Sequence, residues 1–290
     1  MFSIPENILL FLSAFGTFQG CLLAALLYFH PKSDRSVNVF LALYIFFISI
    51  PSIVLVWQYF FSWHVIIFVQ PFLLLIGPLL YLFIRSFREV ITWKKAGPHF
   101  ILFVLYLFIT YWFYAEVGTK YPPSHIVPKE VPRHPLYYIP VIIRSLQRII
   151  YYFLSYKVLV SYQRSIRQLF SDTSRIDLRW VRWLINGYLV LILSIIALNL
   201  LIFQYPEYYN LFVLIIGVMV TVYVHLAAIR GIFQPSLWQL HKGMDKEKIE
   251  AEMEQAEKIE ARENGENLKY RKGLENTKMD EIIAGINTLI

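Results

Sequence analysis

The chain has 290 residues, 57% of them hydrophobic and 17% aromatic but only 16% charged. That balance excludes an ordinary soluble domain, where about a quarter of residues are charged. The single cysteine, Cys21, excludes a disulfide framework and a cysteine metal site. The formal charge of +7 is unevenly spread: from His241 onward nine Lys and Arg stand against twelve Asp and Glu. The cationic excess therefore belongs to the apolar part, where it speaks of membrane topology rather than nucleic-acid binding.

Seven apolar runs follow one another at 8–29, 39–61, 65–84, 100–115, 138–160, 180–203 and 211–229. Most have about the 20 residues a helix needs to cross the hydrocarbon core. The first is too long for a cleaved signal and lacks a basic leader and a small-residue cleavage site, so it reads as a retained helix. Lys32 and Arg35 follow it. The second contains Pro51, and no Lys or Arg separates it from the third. The third, within QPFLLLIGPLLYLFIRSFR (70–88), holds Pro71 and Pro78 and stops at Arg85 and Arg88, with Lys94 and Lys95 beyond. Proline removes a helix hydrogen bond, so kinks are expected at Pro51, Pro71 and Pro78, with neighbouring groups satisfying the freed carbonyls.

The fourth run is short unless Gly97 and Pro98 already form its first turn, which proline tolerates. The loop at 116–137 carries five prolines, several aromatics, Lys120, Lys129 and Arg133, and is expected to fold over one mouth of the bundle. The fifth run opens near Pro140. Arg164, Arg167, Arg175, Arg179 and Arg182 surround its junction with the sixth. No Lys or Arg separates the sixth from the seventh, and Arg230 and Lys242 follow the seventh. Most flanking cations thus fall on one side, which by the positive-inside rule places the N-terminus outside and the C-terminus in the cytoplasm. Trp57, Trp63, Trp93, Trp112, Trp180 and Trp183 lie near run ends and suit an interfacial belt.

The reading is an all-α integral membrane protein: a seven-helix transmembrane domain at 1–235 and a charged cytoplasmic helical tail. The tail divides into a mixed-charge linker at 236–276 and, from 277 to 290, the start of an amphipathic helix. In that last piece Thr277 and Asp280 form a capping-box pattern, and Met279, Ile282, Ile283, Ile286, Leu289 and Ile290 recur at helical spacing.

No Walker loop, Rossmann fingerprint, nucleophile elbow or zincin motif is present, so no enzyme and no cofactor is expected. The histidines form no i, i+4 pair. His125 and His134 share the 116–137 loop within reach of a common metal, but ordinary loop histidines are the favoured reading. His225, inside the seventh run, is read first as bonded to a neighbouring helix and second as a ligand or proton-sensing group. The unusual feature is Arg144, Gln147 and Arg148, whose spacing puts them on one face of the fifth helix. Charge in a membrane is costly, so this face should look inward. Glu116 and Glu207 are the nearest candidate carboxylates by topology. The favoured reading is structural, by snorkelling or an ion pair; the competing one is an anion-binding site open to the outside. No Asp or Glu sits mid-run, which counts against an ion-coupled transporter, and no internal repeat supports a doubled transporter architecture. Gln19, Gln70, Asn186 and Asn199 are read as interhelical hydrogen-bonding groups.

Several stretches in order carry a resemblance: GTFQGCLLAALL (16–27), SVNVFLALYI (36–45), PFLLLIGPLLYLFIRSF (71–87), SLQRIIYYFLSYKVL (145–159) and FSDTSRIDLRWVRWLI (170–185). RGIFQP (230–235) and LKYRKGLENTKMDEIIAGINTLI (268–290) continue it. Together they resemble the N-terminal membrane region of AraC-type membrane-bound transcriptional regulators of the Bacteroidetes kind. The resemblance implies a bacterial inner-membrane sensor, in the lipid bilayer, joined by a charged linker to a cytoplasmic helix-turn-helix pair. Its signal would be an unidentified small molecule or membrane cue, and its tail would form a homodimer. No helix-turn-helix sequence is present up to Ile290, so no direct nucleic-acid contact is expected of this chain as given. A shortened or interrupted reading frame and a free-standing sensor both fit. The competing function is a small-solute permease or another seven-helix membrane protein using the Arg144 and Arg148 face.

Overall fold

Among the described residues every regular element is helical, and the helices string into seven rods. The computed structural model describes residues 4–29, 35–124, 126–169 and 178–232. Lys32, His125, Arg175, Lys242, the linker at 236–276 and the segment at 277–290 lie outside the described residues. Rod α1 is Ile4–Phe29. Rod α2 (35–60) is Arg35–Ser49, a 3-10 turn at Ile50–Ile53 and Val54–Phe60. Rod α3 is His64–Arg85, with a 3-10 stretch at Gln70–Leu74. Rod α4 is Trp93–Gly118, entered through a 3-10 turn at Gly97–Phe100 and closed by a π turn at Tyr114–Gly118. Rods α5 and α6 are Pro135–Leu169 and Arg179–Gln204. Rod α7 is Tyr209–Ile232, preceded by a 3-10 turn at Pro206–Tyr208.

Five rods, α1, α3, α4, α6 and α7, are long and apolar enough to cross a membrane. Rod α2 falls short because its apolar helix, Val37–Ile53, ends at the Pro51 break. Rod α5 is long enough at 35 residues, roughly 50 Å at 1.5 Å per residue, but Arg144, Gln147 and Arg148 make it too polar.

The prolines act differently from one another. Pro51 and Pro71 each sit in a 3-10 turn that interrupts a rod, as expected. Pro78 makes no separate kink, because the α-helical part of α3 restarts at Ile76 and Pro78 falls in its first turn. Pro98 likewise opens α4. Pro140, expected near a helix start, instead lies inside α5, since that helix begins at Pro135.

The rods form a ring in the order α1, α2, α3, α5, α6, α7, with α7 closing onto α1. Rod α4 stands outside the ring against α3 and α5. Burial follows from this: 67% of the apolar window of α3 is buried, against 22% for α4. Lipid tails are as apolar as Leu, so helices associate in a bilayer by close packing and polar contacts rather than by hydrophobic drive. Rod α1 is built on that rule. Phe11, Phe15, Phe18, Leu22 and Leu26 face outward, while Ser13, Thr17, Ala24 and Leu27 face in. A Cβ placed on Gly16 would collide with the Thr221 side chain of α7, and one on Gly20 with Ser49 of α2. Thr17 Oγ1 donates to the Ser49 carbonyl at 3.1 Å, beside the Pro51 break. The GTFQG string is thus a G-x-x-x-G surface spent inside the molecule.

Contacts at the two ends fix which loops lie together. At one end Phe87 of the loop after α3 meets Tyr162 of α5, Phe83 meets Trp180, Arg182 bonds Gln163, and Arg230 lies 5.4 Å from the Trp183 ring. This basic end also holds Glu89, which bonds both Arg85 and Lys95. At the opposite end the 119–134 loop folds over the bundle as expected. Its Val127 and Val131 are buried with Trp63, Ile66, Phe113, Ile202 and Tyr209. The Trp63 backbone N–H donates to the Ser124 carbonyl at 2.9 Å, and the Arg133 guanidinium reaches the carbonyls of Phe203 and Gln204. Among the described residues Trp63 and Trp180 are therefore buried, and only Trp57, Trp93 and Trp112 are exposed as a belt requires.

Candidate functional site

A cavity opens inside the ring, lined by α2, α3, α5, α6 and α7 and by nothing from α1 or α4. Its accessible volume is about 110 Å³, and the whole concavity with its mouth is about 950 Å³. Val54, Ile66, Tyr137, Ile202 and Tyr209 line it toward the loop end, and Ile76, Arg148, Tyr188 and Val220 line its depth. Beyond that depth, toward the basic end, Leu80, Phe83, Leu159, Val181, Leu184 and Ile185 are fully buried. The cavity stops on a packed floor.

Arg144 and Arg148 both line it, at 6% and 8% exposure. Arg148 lies 13 residues into a 35-residue helix, roughly 20 Å from its start at 1.5 Å per residue. No described carboxylate pairs with either arginine. Of the two expected partners, Glu116 is exposed on the π turn and Glu207 is exposed before α7, and neither lines the cavity. Instead the arginines stand among phenols. Arg144 Nη1 donates to the Gln70 carbonyl at a long 3.5 Å, its guanidinium is 6.0 Å from the Tyr106 ring centroid, and Tyr137 and Tyr209 are near. Arg148 stands beside Tyr188 and Tyr44, yet its Nε has no partner, nor has the Tyr188 hydroxyl. A desolvated guanidinium donor without an acceptor is expensive. Of these two unpaired atoms Nε can only donate, whereas the hydroxyl can donate or accept.

Gln147 shares the face but does not line the cavity. Its Nε2 donates to the Leu74 carbonyl at 3.1 Å. In α-helical register that carbonyl would accept from residue 78, which is proline and has no N–H. Gln147 therefore supplies from α5 the hydrogen bond that Pro78 cannot make. Arg144 similarly reaches a carbonyl in the 3-10 stretch of α3.

His225 is held between helices. Its Nδ1 lies 2.7 Å from the Thr221 carbonyl, and Nε2 contacts the Gln19 amide of α1. The Gln19 atom at Nε2 is Oε1, so both ring nitrogens face oxygens: a doubly protonated ring donates to both, and a neutral ring needs the amide turned to present its NH2. This site is away from the cavity and fully engaged. His134 Nδ1 accepts from the Leu136 N–H, capping the start of α5. Among the described residues no group of His, Cys, Asp and Glu is placed to hold a metal ion.

Sequence reading missed the tyrosines. The Tyr44 and Tyr223 hydroxyls are 2.7 Å apart, Tyr223 also donates to the Leu184 carbonyl at 3.1 Å, and the Tyr44 and Tyr188 rings meet edge to face. This cluster runs from Arg148 to the last rod. Twenty tyrosines in a membrane chain offer no pattern that singles these out. No protein-family model, curated protein or solved structure matches the chain.

Proposed function

We propose that the chain is the membrane-embedded signal-input region of an AraC-type regulator in a bacterial inner membrane, without catalytic activity. In this reading all seven rods span the bilayer, α2 and α5 included, with the N-terminus outside and the tail at 236–290 in the cytoplasm. What supports it is the closed-ended cavity with two buried arginines and no described carboxylate. A conduit needs a path or a second opening, whereas a receptor needs a pocket that ends. The 119–134 loop, which covers the near end of the cavity, would lie on the outside, since the basic loops gather at the opposite end and positive charge marks the cytoplasmic side. A ligand would favour one packing of α5, α6 and α7 over another. Rod α7 lines the pocket and runs to the basic end, so it would carry the shift to the tail, where two copies would pair and act on an effector.

Two measurements test this. In a Cys21→Ser background, Thr119→Cys should react with a membrane-impermeant maleimide on intact cells, and Lys94→Cys only after permeabilisation. Purified protein in proteoliposomes should give no electrogenic flux of chloride, phosphate or acetate above empty vesicles. Saturable flux lost in Arg148→Ala would replace the sensor reading with the permease one. Crosslinking that finds the tail strictly monomeric in membranes would remove the dimer.

A further inference from the structure

We infer that the cavity binds a monocarboxylate with a short aliphatic tail, its head on the Arg144 and Arg148 guanidinium groups and its tail among Ile66, Val69, Ile195, Ile202, Val213 and Ile216. The inference rests on the proposal above that this cavity is the ligand site, and it adds the chemical class.

The head group follows from the uncompensated charge. Arg144 and Arg148 both line the cavity and no described carboxylate pairs with either, while Arg148 Nε and the Tyr188 hydroxyl lack partners behind the lining, closed to a water-sized probe. An ionised guanidinium cannot accept, so its partner must bring lone pairs. A carboxylate brings two oxygens in the plane a guanidinium fork matches. Arg144, one turn earlier on the same face, adds a second positive charge, held by the long bond to the Gln70 carbonyl and by the Tyr106 side chain. The remaining wall decides against a phosphate or sulfate. Apart from Gln70, Ser145, Asn199 and the phenols of Tyr137 and Tyr209, the lining is aliphatic or proline. Moreover, Asn199 already donates to the Ile195 carbonyl at 2.8 Å. A multiply charged, strongly hydrated anion would leave oxygens unpaired against Ile and Val, whereas an alkyl tail is at home there.

Size sets the tail. An apolar cavity of about 150 Å³ admits a benzene-sized molecule, so about 110 Å³ suits a chain of roughly four to six carbons. Each methylene that enters contributes about 0.8 kcal/mol, or about fourfold in affinity. Affinity should therefore climb about fourfold per carbon from butyrate to hexanoate and stop climbing once the cavity is full.

The test is calorimetric titration of the full chain in lipid nanodiscs, with empty nanodiscs as control, using acetate, butyrate, hexanoate and decanoate. The expected result is the chain-length climb, no saturable binding of hexanamide or hexylamine, and a drop of about tenfold or more for hexanoate in Arg144→Gln. That variant gives up the long bond to the Gln70 carbonyl and the contact with Tyr106 and removes no fully buried donor, so it disturbs the fold less than Arg148→Gln. Ile195→Trp, which fills the tail region and leaves both arginines, should abolish hexanoate and spare acetate. Inorganic phosphate or chloride binding as tightly as hexanoate would overturn the assignment, and so would folded wild-type protein that binds no carboxylate. Palmitate in the nanodisc displacing hexanoate would overturn the short tail and point to the membrane as the source. Failure here concerns the ligand class alone, because the sensor reading falls on the separate appearance of electrogenic flux.

Discussion

Replacing Gln147 by Leu isolates the bond that compensates a proline. The variant keeps the side chain's bulk but leaves the Leu74 carbonyl, opposite Pro78, without its donor. A buried polar group left unpaired costs about 1–3 kcal/mol, while hydrogen bonds measured between membrane helices average about 0.6 kcal/mol. Gln147 Oε1 already lacks a partner, so Leu also removes an unsatisfied acceptor, which pulls the net toward the low end. The expected loss is about 1 kcal/mol, a roughly fivefold change in the folded ratio. In a Pro78→Ala background residue 78 regains an N–H one helical turn from Leu74, and Gln147→Leu should then cost close to nothing. The coupling of about 1 kcal/mol is readable from SDS-driven unfolding in mixed micelles, followed by tryptophan fluorescence, for the four proteins of the cycle. An equal cost of Gln147→Leu in the wild-type and Pro78→Ala backgrounds would refute the argument.

Gly20→Ala should cost about 1–3 kcal/mol by overpacking against Ser49, whereas Gly97→Ala should be neutral or slightly stabilising. Gly97 has an ordinary helical φ of −51°, and an added Cβ there comes no nearer than 3.9 Å to Trp93; the same unfolding assay compares the two. Tyr223→Phe loses the bond to the Leu184 carbonyl and the contact with Tyr44 and should cost about 1–2 kcal/mol, while Tyr188→Phe should leave stability unchanged. For Glu89, burial pushes its carboxyl up, but the hydrogen bonds and charge of Lys95 and Arg85 outweigh this and hold it below its ordinary 4.5. A depressed carboxylate stabilises the fold above that ordinary value and loses the contribution as pH falls through its lowered one. The thermal midpoint of wild type should therefore exceed that of Glu89→Gln at pH 6 and converge on it as pH drops below about 4.5; a gap that persists in acid would count against the ion cluster.

What the sequence could and could not say follows from what each residue needs. The rods were legible because each apolar run must be continuous to cross or fill a bilayer, and the breaks at Pro51 and Pro71 because proline's chemistry is local. The inward turn of Arg144 and Arg148 was legible from cost alone. The order of rods around the ring was not, since a helix apolar on all sides carries no stripe to say which face meets protein and which meets lipid. The outlying place of α4 was hidden for that reason. Gln147 was assigned to the ligand face because its spacing matches the arginines, and only the opposed Pro78 shows it spoken for. The one overlooked signal in plain sight was Gly16-x-x-x-Gly20, which names a close helix approach without naming the neighbours.

The interruptions at Ile50–Ile53 and Gln70–Leu74 sit on adjacent rods, and Pro51 and Gln70 from those turns both line the cavity. Two neighbouring staves of the barrel are scored at the same height. Rigid α-helix transmits a push end to end, but a column with missing rungs yields at the gap. The segments of α2 and α3 beyond the score, joined by the turn at 61–63, pack under the 119–134 loop, with Trp63 and Ile67 each 1% exposed. The missing rungs at the pocket wall are therefore held by side-chain packing rather than by helical hydrogen bonds.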